Sequence, residues 1–200
     1  MRKGVMAGVA AGAALLGGAA FYYLRERSTE EPDYRALESD GDHQIRDYPA
    51  LTVAEAVVQG PRRDALKQAY RALSDYLESA GLSFAVPVLQ DSGDPMASDP
   101  PLFDDELEGA WRTRFVLPAA QELPELPEGI ELVELPARKV AVVSFSGRAT
   151  DDLLEEQEDR LRGWLAKRGE KSDGEPEYAF YNSPMIPGPL RRNEVWLALS

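Results

Sequence analysis

The sequence predicts an α+β domain: a duplicated strand–helix–strand–strand unit with two helices packed on a curved antiparallel sheet or open barrel, behind one N-terminal transmembrane helix. Three observations predict it. Ala65 to Leu77 and Leu154 to Leu165 repeat apolar residues every three or four positions, as a helix with one buried face does. Short runs rich in β-branched and aromatic residues flank both segments. The halves recur at one spacing: Val53 and Val142 lie 89 residues apart, and so do Ala65 and Leu154.

Arg2 and Lys3 precede an uncharged run from Gly4 to Leu24, whose 21 residues suffice to span a hydrocarbon core. Phe21, Tyr22 and Tyr23, then Arg25 and Arg27, suit the membrane–water interface. Gly4, Gly8 and Gly12 recur every four residues, a spacing that would give a helix a close-packing face. Residues 1–27 are therefore expected to be a single-pass membrane anchor, with a cleaved signal segment as the competing reading. The balance of flanking cations favours a soluble domain outside the cytoplasm, secreted or periplasmic if the segment is cleaved.

Residues 28–33 are a polar linker, and the domain fills 34–200, with pseudo-repeats over about 34–117 and 130–200. Gln44 to Val58 reads as a strand, broken by Gly60-Pro61. Pro61 fits the first turn of a helix running to about Ser79, with the apolar stripe Leu66, Ala69, Tyr70, Leu73 and Leu77 and Gly81 as its stop. Phe84 to Leu89 and Trp111 to Leu117 read as strands, separated by a Pro/Asp/Ser/Gly loop from Asp91 to Phe103. After the Pro/Glu-rich stretch Pro118 to Pro127 the pattern restarts with strands at Ile130 to Leu135 and Lys139 to Ser146. Thr150 caps the second helix, Asp151, Asp152, Glu155 and Glu156 suit its N-terminus, and Gly169 ends it. Tyr178 to Asn182 and Glu194 to Leu199 are the last strands, around a Pro-rich loop from Ser183 to Pro189.

Composition excludes several functions. The 200 residues hold 22 Lys+Arg against 35 Asp+Glu, a net charge of −13, with one histidine and no cysteine. No disulfide scaffold, thiol nucleophile, zinc ribbon or iron–sulfur cluster is possible. The acidic balance argues against nucleic-acid binding, which needs a basic surface. No Gly-x-Ser-x-Gly elbow and no phosphate-binding glycine loop is present.

Few side chains carry candidate chemistry. His43 follows Ser39-Asp40-Gly41-Asp42 and reads either as an exposed turn histidine or as an iron ligand or base. Met185 reads either as a surface residue or as a flexible wall of an apolar pocket. Arg191-Arg192 suits a carboxylate ligand or a neighbouring Glu or Asp. Asp104-Asp105 and Glu155-Glu156 read as solvated faces.

Tyr181-Asn182-Ser183-Pro184-Met185, followed by Leu190-Arg191-Arg192-Asn193-Glu194-Val195-Trp196-Leu197, closely resembles the end of the SOUL/haem-binding protein family. Tyr34 to Leu37, then Asp42-His43-Gln44-Ile45-Arg46-Asp47-Tyr48, resembles the family's opening strand, Ala65 to Leu77 its first helix, and Phe84-Ala85-Val86-Pro87-Val88 its Met-Thr-Ala-Pro-Val segment. The resemblance covers about residues 32 to 199. It implies a gyrase-inhibitor-like duplicated fold and non-covalent, non-enzymatic binding of haem or a related tetrapyrrole. Carried over by position, Lys67, Tyr70 and Ser74 on the first helix and Met185 and Ile186 in the last loop would hold the ligand. Where some members carry a histidine before the strand's tyrosine, this chain has Asp47, which leaves His43 as the candidate metal ligand. Two alternatives stay open: a binder of another amphipathic small molecule, and an enzyme that modifies tetrapyrroles.

Overall fold

The computed structural model describes residues 29–93, 109–118, 124–172 and 174–199. The expected anchor and most of the loop from Asp91 to Phe103 lie outside them. Among the described residues, no helix is long and apolar enough to cross a membrane.

The elements run β1 (Arg35–Asp40), β2 (His43–Tyr48), β3 (Leu51–Gln59), α1 (Arg62–Ser79), β4 (Ala85–Ser92), β5 (Ala110–Val116), β6 (Glu131–Leu135), β7 (Arg138–Ser146), α2 (Asp151–Lys167), β8 (Glu177–Phe180) and β9 (Arg192–Leu199). One curled antiparallel sheet holds all nine strands in the order β1-β2-β7-β9-β8-β4-β5-β3-β6. Both helices lie on one face, α1 against β3 and β5, α2 against β7 and β9. The expected two helices on a curved antiparallel sheet are therefore present.

Local chemistry sets the helix ends. Thr150 Oγ1 accepts the Leu153 N–H at 3.4 Å, as the capping sequence predicts. Gly81 (φ 68°) and Gly169 (φ 73°) follow the two helices in the left-handed region, where a side chain would be strained. Beside them Leu82 N–H donates to the Leu77 carbonyl and Glu170 N–H to the Leu165 carbonyl, so both helices end in the same motif.

The start of the domain differs from expectation. The single strand expected over Gln44 to Val58 is two, β2 and β3, parted at Pro49-Ala50. Pro49 has no N–H to give a ladder, so the chain turns there. The stretch Tyr34 to Leu37, which the resemblance joins to the opening strand, leads into a separate edge strand, β1, exposed along its whole length and without apolar alternation. His43 is the first residue of β2 and is buried, not an exposed turn residue.

The strand register obeys the 89-residue offset. β2, which leads the first half, pairs with β7 of the second; β6, which leads the second half, pairs with β3 of the first. Moving His43↔Val143 by 89 in each direction gives Leu132↔Ala54, a pair that is also present. Each half thus lends its leading strand to the other. Arg62 and Asp151, again 89 apart, hydrogen-bond to each other between the starts of the two helices. Arg62 also donates to Gln90 Oε1 (3.1 Å) and the Ala149 carbonyl (3.0 Å).

Three apolar clusters form the core. One lies under α1 (Ala69, Leu73, Leu77, Phe115) and one under α2 (Leu154, Leu161, Leu165, Val195). The third includes Tyr48, Val53, Leu89, Val142, Tyr181 and Trp196, on the sheet face away from the helices.

Candidate functional site

The face of α1 that the sequence singles out is an aromatic ledge. Ala65, Ala69, Leu73 and Leu77 turn into the core, so Lys67, Tyr70 and Ser74, at spacings of three and four, share one flank of the same helix. Tyr70 remains 43% exposed. Its ring stands edge-on to Phe115 at 5.1 Å and to Phe84 at 6.2 Å, and those two stack at 4.1 Å. The result is a fixed apolar surface with a phenol at its rim. Lys67 is exposed and donates to Asp64 at 2.7 Å, holding that carboxyl below its ordinary range by hydrogen bond and charge. Such an exposed pair opens at little cost when a second carboxylate approaches. The Ser74 hydroxyl is enclosed and has no hydrogen-bond partner among the described residues.

The loop after β8 owes its shape to the polar residues of the C-terminal motif. Asn182 Oδ1 accepts the Arg192 N–H at 2.7 Å, and Ser183 Oγ accepts the Met185 N–H at 3.0 Å. Arg191 donates to the carbonyls of Ile186 (2.7 Å) and Pro184 (2.6 Å). Ile186 is thereby buried, while Met185 is presented at 81% exposure with Leu190 nearby in sequence at 51%. Gly147 N–H donates to the Gly188 carbonyl, which holds the loop against the lead-in to α2. Of the two loop candidates, only Met185 can offer a side-chain surface without rearrangement.

Glu194 anchors this loop from below. It is fully buried on the inner sheet face. Arg46 grips it with two bonds (2.9 and 3.0 Å), and Tyr181 Oη, Trp196 Nε1, Ser144 Oγ and Arg192 also donate to it. Burial alone would raise this carboxyl; the Arg46 bonds, the Arg46 and Arg192 charges and the Trp196 donor outweigh it and hold it at about 2. Burial, together with the Glu194 charge, pushes the Tyr181 phenol well up, so it stays a donor. Arg46 and Glu194 were visible in the sequence as motif residues, but nothing there showed that they meet across β2, β7 and β9. Phe84 and Phe115 were likewise missed as site residues, because each reads as an ordinary strand residue.

Arg191 and Arg192 both find internal partners. Arg191 holds loop carbonyls, and Arg192 bonds Glu194 and Glu31, so both have structural partners within the chain.

His43 stands apart from this face. Its ring stacks on Trp164 of α2 at 5.1 Å, and burial, then Arg160, lower its pKa. Five strand steps separate β2 from β5, roughly 24 Å along the sheet at ~4.8 Å per step. An iron held on the α1 ledge would be out of its reach. Among the described residues, no group of three or more His, Asp or Glu could hold a metal ion.

A family model described as SOUL heme-binding protein matches residues 29–198. No curated protein matches by sequence. Among solved structures, the C-terminal domain of EcmrR aligns with a TM-score of 0.58 at 12% identity, covering 84% of this chain and 98% of that one. An uncharacterized conserved protein from Listeria innocua gives 0.56 at 13% identity, covering 80% and 92%. A structure titled a hydrolase, also from Listeria innocua, gives 0.54 at 10% identity, covering 82% and 94%. At such identities the likeness is one of fold alone.

Proposed function

Because the chain belongs to the SOUL haem-binding protein family, we propose that it binds haem or a related tetrapyrrole non-covalently on the α1 ledge, without catalysing a reaction on it. The observation that carries this reading is the Tyr70–Phe84–Phe115 cluster, in which Tyr70 stays 43% exposed over a partly buried Phe84 and a buried Phe115, beside a cation. A flat macrocycle buries its face against such a surface, and its propionates pair with a flexible ammonium. The residues fit those two needs. Tyr70 would take the ring face, Lys67 a propionate, and Ser74 would turn its unpartnered hydroxyl to the ligand edge. Met185 and the carbonyls that Arg191 fixes around it would close the ligand from the loop. His43 does not fit as an axial ligand of this site, for the reason of distance given above. Bound haem would supply a redox-active, light-absorbing centre; the protein's own part is to hold and orient it.

The proposal includes residues 1–27 as a single-pass anchor that places the domain beside a membrane, on its extracytoplasmic side. The ligand reading is tested by absorbance titration with haemin. A saturable Soret shift is expected, weakened about tenfold by Tyr70→Ala and by Lys67→Glu and unchanged by His43→Phe. Absence of a saturable shift, or equal shifts in all variants, refutes it. Thermal stabilisation by other amphipathic ligands with haemin inert would point to a different small molecule.

A further inference from the structure

The other flank of α1 lines a groove that the tetrapyrrole reading does not use. Its volume is about 1290 Å³, and Gln68, Ala72, Asp75 and Ser79 of α1 line it, but not Lys67, Tyr70 or Ser74. Ala56, Val58, Ala69 and Ile130 form an apolar floor, and Pro124 and Leu126 form the opposite wall. Gln68 to Ser79 is eleven residue steps, about 16 Å at 1.5 Å each, so the groove is elongated. Every charged residue lining it is acidic: Asp75 from the helix, Glu125 and Glu128 from the wall. None of the three has an ion-pair partner among the described residues, although arginines elsewhere pair closely with Asp91, Glu177 and Glu194. The small side chains Ala69 and Ala72 leave room for a chain of methylenes, and Leu126 is 36% exposed above it. Apolar surface of this length beside unpaired carboxylates is complementary to a cation with an extended hydrocarbon tail. A net charge of −13 adds a long-range attraction of the same sign.

We propose that this groove is a second binding site, for a long-chain alkylammonium or a similar elongated apolar cation. The two flanks of α1 then select ligands of opposite charge, an anionic macrocycle beside Lys67 and a cationic chain beside Asp75. Calorimetric titration of the full chain with decyltrimethylammonium and with decyl sulfate, both below micelle formation, tests it. The cation is expected to bind saturably and at least tenfold more tightly than the anion. The triple variant Asp75→Asn, Glu125→Gln, Glu128→Gln should abolish that preference, and Ala72→Trp should weaken cation binding at least fivefold. Both changes lie at the protein surface, and circular dichroism verifies the fold. Tyr70→Ala should leave cation binding unchanged. No saturable binding, equal affinity for both chains, or binding that neither groove variant alters would overturn the proposal.

Discussion

Replacing Glu194 by glutamine keeps the side chain's shape but removes a charge from a fully enclosed position. The carboxyl sits at about 2 against an ordinary 4.5, and each unit corresponds to about 1.4 kcal/mol, so ionisation in the fold is favoured by about 3 kcal/mol. The neighbours give a similar figure. Arg46 is 2% exposed, and a glutamine would turn an NH₂ group toward donors. Breaking a buried pair from one side costs about 3–5 kcal/mol, because the other charge is left unpaired. For a domain of this length each kcal/mol lowers Tm by about 2–4 °C, so Glu194→Gln should lower it by roughly 6–20 °C. Urea unfolding of residues 28–200, which hold every described core residue, measures the change directly. The pH dependence supplies a second sign. A depressed carboxyl stabilises the fold above its unfolded value near 4.5, and that stability drains away as pH falls toward 2. Wild type should lose it over this window, and the variant should lack that part of the acid limb. A loss under about 1 kcal/mol at an unchanged m-value, or the same acid limb in both proteins, would show that the Glu194 charge does not hold the fold together.

Arg62→Ala should destabilise by about 2–4 kcal/mol in urea, since it leaves buried Gln90 and the Ala149 carbonyl without a donor, whereas Asp151→Asn, at 67% exposure, should cost under about 1 kcal/mol. His43→Phe keeps the stack on Trp164 and removes a buried nitrogen without a partner among the described residues, so stability at pH 7 should change by less than about 1 kcal/mol. His43's lowered pKa means that its contribution is full above 6.5 and is lost as pH falls below it; comparing thermal melts at pH 7 and pH 5 should show that loss in wild type but not in the phenylalanine variant. The full chain should remain with membranes through an alkaline carbonate wash, and residues 28–200 should not.

Periodicity carried most of the architecture. The stripes through Leu73 and Leu161, the cap at Thr150 and the stops at Gly81 and Gly169 are local signals, and local physics placed both helices. β1 leaves no pattern of its own because its residues are all exposed, so only the resemblance over Tyr34 to Leu37 pointed to it, and the turn at Pro49-Ala50 was hidden inside an apolar run. The exchange of leading strands is a long-range choice; the 89-residue offset is visible in the chain, but not which half each strand joins. The site divides the same way. Helical spacing alone puts Lys67, Tyr70 and Ser74 on one flank. The contribution of Phe84 and Phe115 needs β5 and the residue leading into β4 to meet α1, and the exposure of Met185 over Ile186 needs the Arg191 clamp.

Nuclear magnetic resonance of residues 28–200 titrated with zinc protoporphyrin, a diamagnetic tetrapyrrole, shows whether the ligand lies on the α1 ledge, because its ring current marks the residues beneath it. Saturable shifts are expected, concentrated at Lys67, Tyr70 and Ser74 and at the loop from Ser183 to Leu190, with Glu125, Glu128 and His43 unmoved. Shifts confined to the acidic groove, to the surroundings of Glu194 or to His43, or none that saturate, would contradict that placement.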